Sequence, residues 1–483
     1  MTISVQSSTH ISQFERILGE KNVVTDKESK DRYCWDWSRD LKGSTLAVIR
    51  PASTDEVCEI VRYCAQKGLI LIPQGGHSGL VYGALPQDEE NHVVISMERM
   101  NKIRKINALD FSMQVDAGCI LENVKDFAAT HGCIFPLSLG AQGSCQIGGN
   151  VATNAGGFNV LRYGMMRELV LGLEVVLPNG EIFNNMSSLR KDNRGIDLNH
   201  LFIGSEGSMG IVTAASLKLF PKPDQTVTAF LGLDSIKDAI QLFADARRDC
   251  CDLLSAFEFM DNECIDLAFR TIPDLTPPLE SRYAVNILLE VSASGLIDLQ
   301  SMVEKFLMSS MEKGLVKDGT IASSQAQADK LWLIREALTE GQARHGQHLR
   351  TDVSVSIADL PAFLDTAYNA VQAACPGSLQ IPFGHIGDGN IHYNLLPPEH
   401  LSEEEKAKVI KMAQKCVFET VDAFNGSISA EHGIGRLKQN DFLQRLPVEH
   451  RRILEGLKSV IDPKQTLNAG CILPAIIADQ TSM

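Results

Sequence analysis

The chain has 483 residues, 44% hydrophobic and 22% charged, which suits two or three globular domains and argues against disorder. A net charge of -15 argues against nucleic acid as a partner, because phosphate binding needs a basic face. The twelve cysteines include no CxxC pair, so neither a zinc ribbon nor a disulfide framework is indicated. Buried thiols in a reducing compartment are expected instead.

The N-terminal segment is polar, and no apolar run reaches the roughly eighteen residues of a membrane span. It also contains acidic residues and few arginines, unlike an organellar transit peptide. We therefore expect a cytoplasmic protein without a membrane span, with the mitochondrial matrix as the open alternative.

Residues 10–40 have a helical pattern, and an α/β unit with a strand, a helix and a second strand follows from Thr45. The second strand runs into the glycine-rich loop Pro73–Leu80, which ends near Gly83. Consecutive backbone amides without obstructing side chains suit a pyrophosphate, although a simple glycine turn has the same composition.

A second glycine-rich stretch, Gly140–Gly157, is more specific, because tight packing alone rarely requires so many glycines and small polar residues. Its backbone could approach a flat polar ligand closely and hydrogen-bond its edge. A hairpin with Pro178–Gly180 at its turn follows, and then a third glycine loop, Leu201–Val212, is predicted to face the same ligand. Near Pro221–Pro223 the glycines become fewer, which indicates a domain boundary.

Four residues near the C-terminus could form a metal centre with a base. His385 and His392 lie in IPFGHIGDGNIHYN, and Glu431 and His432 in SAEHG. Two residues seven positions apart lie on opposite faces of a regular strand, and Gly387 and Gly389 argue against a helix. The motif therefore predicts two extended pieces joined by a Gly-Asp-Gly turn that brings both imidazoles to one side. Two histidines and a carboxylate suit a divalent metal, with one histidine left as a base, and ordinary loop histidines are the alternative.

The segments PLSLG, GGNVATNAGG, LRYG, SSLRKDN and LFIGSEGSMGIVT closely resemble the FAD-linked oxidoreductases of the vanillyl-alcohol oxidase type, in particular the D-2-hydroxyglutarate and D-lactate dehydrogenases. The resemblance spans nearly the whole chain. It implies an α+β fold with an FAD-binding domain at residues 1–223, a substrate or cap domain at 224–425 and a C-terminal helical segment at 426–483 that closes the active site.

The resemblance also implies which residues contact FAD. They are Pro73, Gln74, Gly75, Gly76, His77, Ser78, Gly79, Leu80, Pro136, Gly140, Ser144, Gly148, Gly149, Asn150, Thr153, Asn154, Gly157, Glu206, Gly210, Ile211, Val212 and Asn468.

In the same family His385, His392 and Glu431 would bind zinc or a similar divalent ion, and His432 would be the catalytic base. The substrate-binding positions would be Arg335, Thr339, Arg350 and Asn394.

Arg350 departs from the hydroxyglutarate enzymes, which usually have lysine there. Arginine keeps the charge but favours bidentate contacts with carboxylates, so the departure bears on the substrate more than on the reaction. For Arg335, the alternative is an exposed helical arginine paired with Glu336 or Glu340.

The implied reaction oxidises a D-2-hydroxy acid to the 2-oxo acid, with D-2-hydroxyglutarate as the best substrate and D-lactate or D-malate as the alternative. The metal lowers the pKa of the hydroxyl, His432 takes the proton, and hydride passes to flavin N5. A 2-hydroxy-acid oxidase using oxygen and a flavin-binding redox scaffold without turnover are further alternatives. The expected partners are a small anionic 2-hydroxy acid, an electron acceptor such as an electron-transfer flavoprotein, a quinone or a cytochrome, and a second copy in a homodimer.

His77 raises the question of a covalent flavin, since a Gly-His-Ser sequence in this loop carries the flavin-bonded histidine in several covalent flavoproteins of the superfamily. The hydroxyglutarate dehydrogenases usually have Asn or Thr there. A histidine in a tight loop can also simply hydrogen-bond phosphate or backbone. We predict non-covalent FAD.

Overall fold

The computed structural model describes residues 5–273 and 275–475. The chain folds as two compact units that exchange segments along the sequence. The first unit comprises the described residues up to Gly157, then Gly164–Lys222, and the described residues from Glu431 onward. The second comprises Phe158–Tyr163 and Pro223–Ala430. These divisions lie beside the domain ends proposed from the sequence at residues 223 and 425, and the sequence had not indicated the short exchanged segment.

The helices, in chain order, are α1 (Val5–Leu18), α2 (Lys27–Cys34), α3 (Thr54–Lys67), α4 (Leu121–Ala129), α5 (Ile147–Ala152), α6 (Val160–Tyr163), α7 (Met166–Leu169), α8 (Ile236–Asp249), α9 (Asn262–Thr271), α10 (Leu299–Glu312), α11 (Gln325–His345), α12 (Leu360–Ala374), α13 (Glu403–Ala423), α14 (Gln439–Arg445) and α15 (Val448–Ile461).

The strands are β1 (Val23–Val24), β2 (Ser44–Ile49), β3 (Ile70–Gln74), β4 (Gln87–Ser96), β5 (Ile103–Asn107), β6 (Ser112–Asp116), β7 (Cys133–Ile134), β8 (Val170–Val176), β9 (Ile182–Asn184), β10 (Ile211–Lys218), β11 (Phe220–Pro221), β12 (Gln225–Leu233), β13 (Leu254–Asp261), β14 (Val285–Ala293), β15 (Asp318–Ile321), β16 (Val353–Ser354), β17 (Leu379–His385) and β18 (Asn390–Leu396).

The N-terminal α/β unit is confirmed. Strands β2, β3 and β4 are parallel in a sheet of order β1-β2-β4-β3, and β1 pairs antiparallel with β2. Helix α3 begins where Ser53 accepts a hydrogen bond from the amide of Glu56 and ends at Gly68, whose φ of 71° is left-handed. A polar N-cap and a C-terminal glycine terminate a helix in this way. Strand β3 then leads into the predicted pyrophosphate loop.

The prediction of continuous helix over residues 10–40 is wrong in its middle. Helix α1 ends at Leu18, the strand β1 follows, and α2 begins after Asp26, whose side chain accepts from the amide of Ser29. Val23 and Val24 pair with Ile49 and Val48 of β2, so tertiary pairing of two β-branched residues outweighs the helical periodicity.

The second sheet of the first unit, of order β5-β6-β10-β8-β9, is antiparallel and contains the predicted hairpin as β8 and β9. The glycine-rich stretch Gly140–Gly157 differs from a plain loop, because its middle forms the short helix α5. The amide of Gly148 donates to the carbonyl of Ala117, and a Cβ at Gly148 would lie 2.7 Å from the Cβ of Ala117. Close packing of α5 against the chain beside the sheet therefore requires this glycine.

In the second unit the described strands form one antiparallel sheet of order β15-β12-β14-β13-β17-β18-β16. One face packs on α8, α10, α12 and α13 through a large apolar core. The opposite face packs on α9 and α11 through a smaller core. The polar residues of interest lie on this second face.

Eleven of the cysteines are buried or partly buried, and Cys251 is exposed, which agrees with the expectation of buried thiols. Among the helices of the described residues, none is long and apolar enough to cross a membrane.

Candidate active site

The two glycine-rich segments of the first unit lie against each other. A Cβ on Gly76 would be 2.0 Å from the carbonyl oxygen of Ser144, so the Pro73–Leu80 loop can approach the Gly140–Gly157 stretch only with glycine at this position. Gly75 faces the backbone of Gly149, whose nitrogen is 3.6 Å from the position of a Cβ on Gly75. The sequence predicted that both segments face one ligand, and the structure brings them together.

These segments fit FAD on two observations. Cβ positions on Gly79, Gly140 and Gly149 would meet nothing within 4 Å, so open space adjoins backbone that carries no side chain. Beside them, Gln146 is 8% exposed, and its Oε1 has no hydrogen-bond partner among the described residues. A buried acceptor without a donor is costly unless a ligand supplies the donor, and the imide and hydroxyl groups of FAD are such donors.

Glu206, also predicted to contact FAD, is held by the C-terminal segment of the same unit. Its carboxylate oxygen Oε1 accepts from the amides of Ile434 and Gly435 at 2.8 and 3.1 Å. Burial raises the pKa of Glu206, and these two amides oppose that rise. Its backbone has a left-handed φ of 50°, which a residue other than glycine adopts only where its surroundings hold it.

Asn468 connects the three parts of the first unit. Its side-chain nitrogen donates to the carbonyls of Gly83 and Glu206 at 3.0 and 2.7 Å, and its oxygen accepts from Arg436. Arg436 also donates to the carbonyl of Gly83 at 2.7 Å. The side chain of Asn468 thus positions the loop that ends at Gly83.

The other predicted FAD residues all belong to the first unit. Within it lie Pro73, Gln74, His77, Ser78, Leu80, Pro136, Gly148, Asn150, Thr153, Asn154, Gly157, Gly210, Ile211 and Val212. Packing alone accounts for some of them. A Cβ on Gly210 would lie 2.5 Å from Val175, and Ile211 and Val212 are buried in β10.

His77 lies in a strained turn with φ of 54°. Its Nε2 hydrogen-bonds the carbonyl of Trp35, so this nitrogen carries the proton of the neutral ring. Burial lowers the pKa of His77, which favours the neutral form. The hydrogen bond agrees with the non-covalent alternative for this residue.

In the second unit, strand pairing places His385 and His392 on one face. Antiparallel pairing of β17 and β18 puts Phe383 opposite His392 and His385 opposite Asn390. Residues directly opposite share a face, as do residues two apart, so His385 and His392 point to the same side. Their ring centroids are 5.7 Å apart, and one ring nitrogen of each lies within 4.8 Å of the other. The predicted pair of extended pieces is confirmed, with a 3₁₀ turn and Gly389 at φ of 82° between them.

Glu258 in β13 connects His385 with Arg335. Its Oε1 lies 2.6 Å from Nδ1 of His385, and its Oε2 accepts from Nε of Arg335 at 2.9 Å. Burial raises the pKa of Glu258, but the charges and hydrogen bonds of His385 and Arg335 outweigh it and hold the pKa below its ordinary value. Arg335 is only 4% exposed, so the alternative of an exposed arginine paired with Glu336 or Glu340 is wrong.

Aromatic rings complete the surroundings of Arg335. Its guanidinium carbon lies 4.6 Å from the ring centroid of Phe383 and 5.5 Å from that of Phe158. Phe158 also meets the ring of His385 edge-on at 5.7 Å. Cation–π contacts of this kind orient a guanidinium plane in a partly desolvated setting.

Asn394 lies farther along the same face. Its side-chain oxygen accepts from the amide of Thr351 at 2.8 Å, and its nitrogen donates to Oε1 of Gln342 at 2.7 Å. The Nε2 of Gln342 is buried and has no hydrogen-bond partner among the described residues. A donor left in this way is available to an acceptor on a ligand.

Asp352 is fully buried and accepts from Nδ2 of Asn390 at 3.0 Å. One of its carboxylate oxygens lies within 4.8 Å of a ring nitrogen of His392. Asp352, which was not predicted from the sequence, places a further carboxylate beside the histidines.

Thr339 and Arg350 differ from the other predicted substrate residues because both are exposed. Nε of Arg350 donates to Nε2 of His348 at 2.9 Å, and burial lowers the pKa of His348 to about 4. His348 is therefore neutral near pH 7 and accepts from Arg350.

Glu431 and His432 follow directly on Ala430, the last residue of the second unit. The amide of Ala430 donates to the carbonyl of Asp352 at 3.2 Å, which fixes the point where the chain leaves that unit. Both residues are half-buried.

Three further residues near the histidines and Asn394 were not predicted from the sequence: Glu258, Phe158 and Gln342. A signal for Glu258 exists, because a lone glutamate in the apolar run SAFEFM is unexpected in a buried strand unless it has partners. Phe158 comes directly after Gly157, at the end of a motif assigned to the first unit, and only the fold assigns it to the second.

Comparison with known proteins agrees with both units. Residues 45–185 match the family model of the FAD binding domain, and residues 222–472 match that of the C-terminal domain of FAD linked oxidases. The chain is 40% identical to a mitochondrial D-2-hydroxyglutarate dehydrogenase of Arabidopsis thaliana, covering 97% of this chain and 82% of that one. It is 38% identical to the enzyme of the same name from Bos taurus, covering 98% and 85%. The chain therefore belongs to the FAD-linked oxidases, and within them to the FAD-dependent D-2-hydroxyacid dehydrogenases.

Solved structures show the same fold at low identity. A p-cresol methylhydroxylase with substrate bound aligns with a TM-score of 0.75 at 16% identity, covering 98% of both chains. A 4-ethylphenol oxidase from Gulosibacter chungangensis aligns with a TM-score of 0.73 at 18% identity, covering the same shares. The predicted α+β fold with an FAD-binding domain is confirmed.

Proposed function

We propose that the protein oxidises D-2-hydroxyglutarate to 2-oxoglutarate, with FAD and a divalent cation, zinc as the first choice, as its cofactors. One observation carries the choice of substrate class: Arg335 is a buried cation that shares Glu258 with the imidazole of His385, and only its Nε is hydrogen-bonded by the described residues. A guanidinium left with both terminal nitrogens in a buried setting suits a carboxylate of a small acid.

The donor set supports the cation. Glu258 engages Nδ1 of His385, which puts the lone pair of the neutral ring on Nε2, and a nitrogen of His392 lies within 4.8 Å of a nitrogen of His385. The proposed third ligand is Glu431, one residue beyond the anchored Ala430. Two histidines and one carboxylate, with a position left for substrate, form the usual donor set of catalytic zinc. A bound divalent ion would lower the pKa of the substrate hydroxyl.

Other residues of the chain would bind the substrate and accept its proton. Arg335 binds one carboxylate and Arg350 the other, which offsets the substrate's double negative charge on an acidic protein. His432 accepts the hydroxyl proton, and the hydride of the α-carbon goes to FAD, which is the electron acceptor when bound. The carbon loses two electrons and one proton, and the 2-oxo acid remains.

A second candidate substrate is D-lactate, with D-malate as a further alternative. Arg350 is exposed and differs from the usual lysine, and a 35% identical protein of Schizosaccharomyces pombe is named a putative D-lactate dehydrogenase. A monocarboxylate would need only Arg335. Turnover of D-2-hydroxyglutarate should therefore depend on Arg350, whereas turnover of D-lactate should not.

The electron acceptor, the homodimer and the location stay predictions. A 35% identical relative from Saccharomyces cerevisiae is named a D-2-hydroxyglutarate–pyruvate transhydrogenase, and the plant and bovine relatives are named mitochondrial. These names do not confirm the predicted cytoplasmic location. An electron-transfer flavoprotein or a quinone is proposed as the acceptor, and release of peroxide in air would indicate the oxidase alternative.

The test combines dye-linked turnover on D- and L-2-hydroxy acids with metal and flavin analysis of variants. Changing His385, His392 or Glu431 to Ala should remove metal and nearly all turnover while the protein stays yellow. His432→Ala should retain both cofactors and slow turnover by about 10²- to 10⁴-fold. The exposed His400 provides a control, since His400→Ala should change neither metal nor rate. Stoichiometric metal in the His385 variant would contradict the ligand assignment.

A further inference from the structure

Glu258 occupies a central position in the second unit. Strand β13 lies between β14 and β17, and Glu258 is directly opposite His385 in the ladder. Only 1% of the residue is exposed, although it carries a carboxylate. An ionised carboxylate at such depth persists only where donors compensate its desolvation.

Each oxygen of Glu258 serves a different functional group. Oε1 is 2.6 Å from Nδ1 of His385, and Oε2 is 2.9 Å from Nε of Arg335. The first partner is a proposed metal ligand and the second a proposed carboxylate binder. The carboxylate of Glu258 thus connects a proposed metal ligand, His385, with the proposed binder of the substrate carboxylate, Arg335.

The contact with His385 determines the tautomer of the imidazole. A carboxylate can only accept, so Nδ1 of His385 must carry the proton, and Nε2 then has the lone pair. Carboxylates that hold a ligating histidine in this manner orient its ring and increase its basicity.

The contact with Arg335 determines the direction of the guanidinium. Nε is engaged by Glu258, the guanidinium carbon lies 4.6 Å from the ring centroid of Phe383, and the terminal nitrogens make no hydrogen bond among the described residues. A planar fork fixed at Nε is already arranged for bidentate contact with a carboxylate, so less rotamer freedom is lost on binding.

We propose that Glu258 is a positioning residue that sets the metal-binding tautomer of His385 and the orientation of Arg335 at the same time. This inference rests on the proposed function, because it presupposes that His385 binds a cation and Arg335 binds substrate. Glu258 itself touches neither substrate nor metal.

The variant Glu258→Gln tests this proposal because it keeps the size of the side chain and offers only one acceptor. If its oxygen faces Arg335, its amide nitrogen faces His385 and favours the tautomer with a protonated Nε2. If the oxygen faces His385, the amide nitrogen of the glutamine faces Nε of Arg335, and both groups are hydrogen-bond donors. Either orientation breaks one of the two contacts.

The matched control is Glu290→Gln. Glu290 is a second glutamate on the same sheet face, with Oε2 accepting from Nε1 of Trp332 at 3.0 Å and Oε1 accepting from Ser255 at 3.2 Å. None of the hydrogen-bond partners of Glu290 among the described residues is a histidine or an arginine. The same chemical change is therefore made at a glutamate that has no hydrogen bond to His385 or Arg335.

The measurements are Co²⁺ binding to the metal-depleted yellow protein, followed by absorption and by competition with Zn²⁺, and KM and kcat for D-2-hydroxyglutarate. For Glu258→Gln we expect Co²⁺ affinity to fall by about 10- to 100-fold or KM to rise by a similar factor, with full FAD content. Glu290→Gln should match the wild type in both. Glu258→Asp keeps the buried charge but is too short for both partners, and it should show the same losses if the Gln variant does not fold.

Wild-type Co²⁺ affinity together with wild-type KM in Glu258→Gln would overturn the inference, as would equal losses in both glutamate variants. Failure of the proposed function looks different. In that case the wild type itself would bind no Co²⁺ or would not oxidise the hydroxy acid, and the assignment of both partners of Glu258 would fail with it.

Discussion

The two arginines predicted to bind substrate differ in their surroundings. Arg335 is buried and fixed by Glu258, whereas Arg350 is exposed and donates to His348. In the proposed function Arg335 would serve any 2-hydroxy acid, because every such acid has a carboxylate next to its reacting carbon. Arg350 would bind the distal carboxylate, which only some of these acids possess.

Arg350→Ala should therefore lower kcat/KM for D-2-hydroxyglutarate far more than for D-lactate. Loss of a charged hydrogen bond costs about 1.5–3 kcal/mol, roughly 10- to 100-fold. Steady-state kinetics with both substrates measures the ratio. Arg344 on α11 is exposed and paired with Glu340, and Arg344→Ala should leave both values unchanged. Equal losses on the two acids in the Arg350 variant would remove the basis for preferring the dicarboxylate.

His77 should leave FAD non-covalently bound. Its Nε2 donates to the carbonyl of Trp35, so bonding through that nitrogen would sacrifice a hydrogen bond within a part-buried turn. Acid precipitation and centrifugation separate the possibilities, since free FAD stays in the supernatant. A yellow pellet from the wild type and a colourless one from His77→Asn would demonstrate the bond and contradict this prediction.

At the scale of elements, local signals in the sequence predicted much of the structure. The caps of α3, the hairpin of β8 and β9, and the two strands around the Gly-Asp-Gly turn all follow from neighbouring residues. The short helix α5 did not, because its helical bonds form in a glycine-rich segment of low intrinsic propensity and depend on packing near Ala117.

The candidate site was only partly predictable for a related reason. Glu258 lies 127 residues from His385, and strand pairing alone makes them neighbours. Sequence motifs indicate residues that bind a ligand. The residues that hydrogen-bond to those residues lie elsewhere in the sequence, and only the fold identifies them. The contact between Gly76 and Ser144 likewise required the structure.

The fit of FAD to the glycine loops can be tested with a pair of glycines. Gly149 in α5 and Gly456 in α15 both have open space where a Cβ would project. Gly149→Ala should lower FAD content without unfolding the protein, since its methyl group enters the space proposed for the cofactor. Gly456→Ala should keep FAD and leave stability equal or slightly increased, because alanine favours helix. Flavin absorbance per mole of protein is the measurement, and equal flavin in both variants would contradict the placement.

At the scale of the whole molecule, metal and flavin should be separable. The glycine loops contain none of the proposed metal ligands, so dialysis against a chelator should abolish turnover on D-2-hydroxyglutarate while the yellow colour stays. Added Zn²⁺ should restore the rate. Metal analysis alongside the kinetics is decisive, because undiminished turnover in a protein shown to be free of metal would exclude the proposed role of the cation.

The interleaving of the two units also affects synthesis of the chain. Gly83 belongs to the first segment of the first unit, yet Arg436 and Asn468, which hold the loop at Gly83, are made after the second unit. The long segment Pro223–Ala430 of the second unit leaves the ribosome before them. Domains usually fold in the order of their synthesis, but here the earlier unit must wait for the later one. During translation the nascent FAD-binding unit therefore remains unfinished until the second unit has emerged, and termination before Asn468 would leave the loop at Gly83 without these contacts.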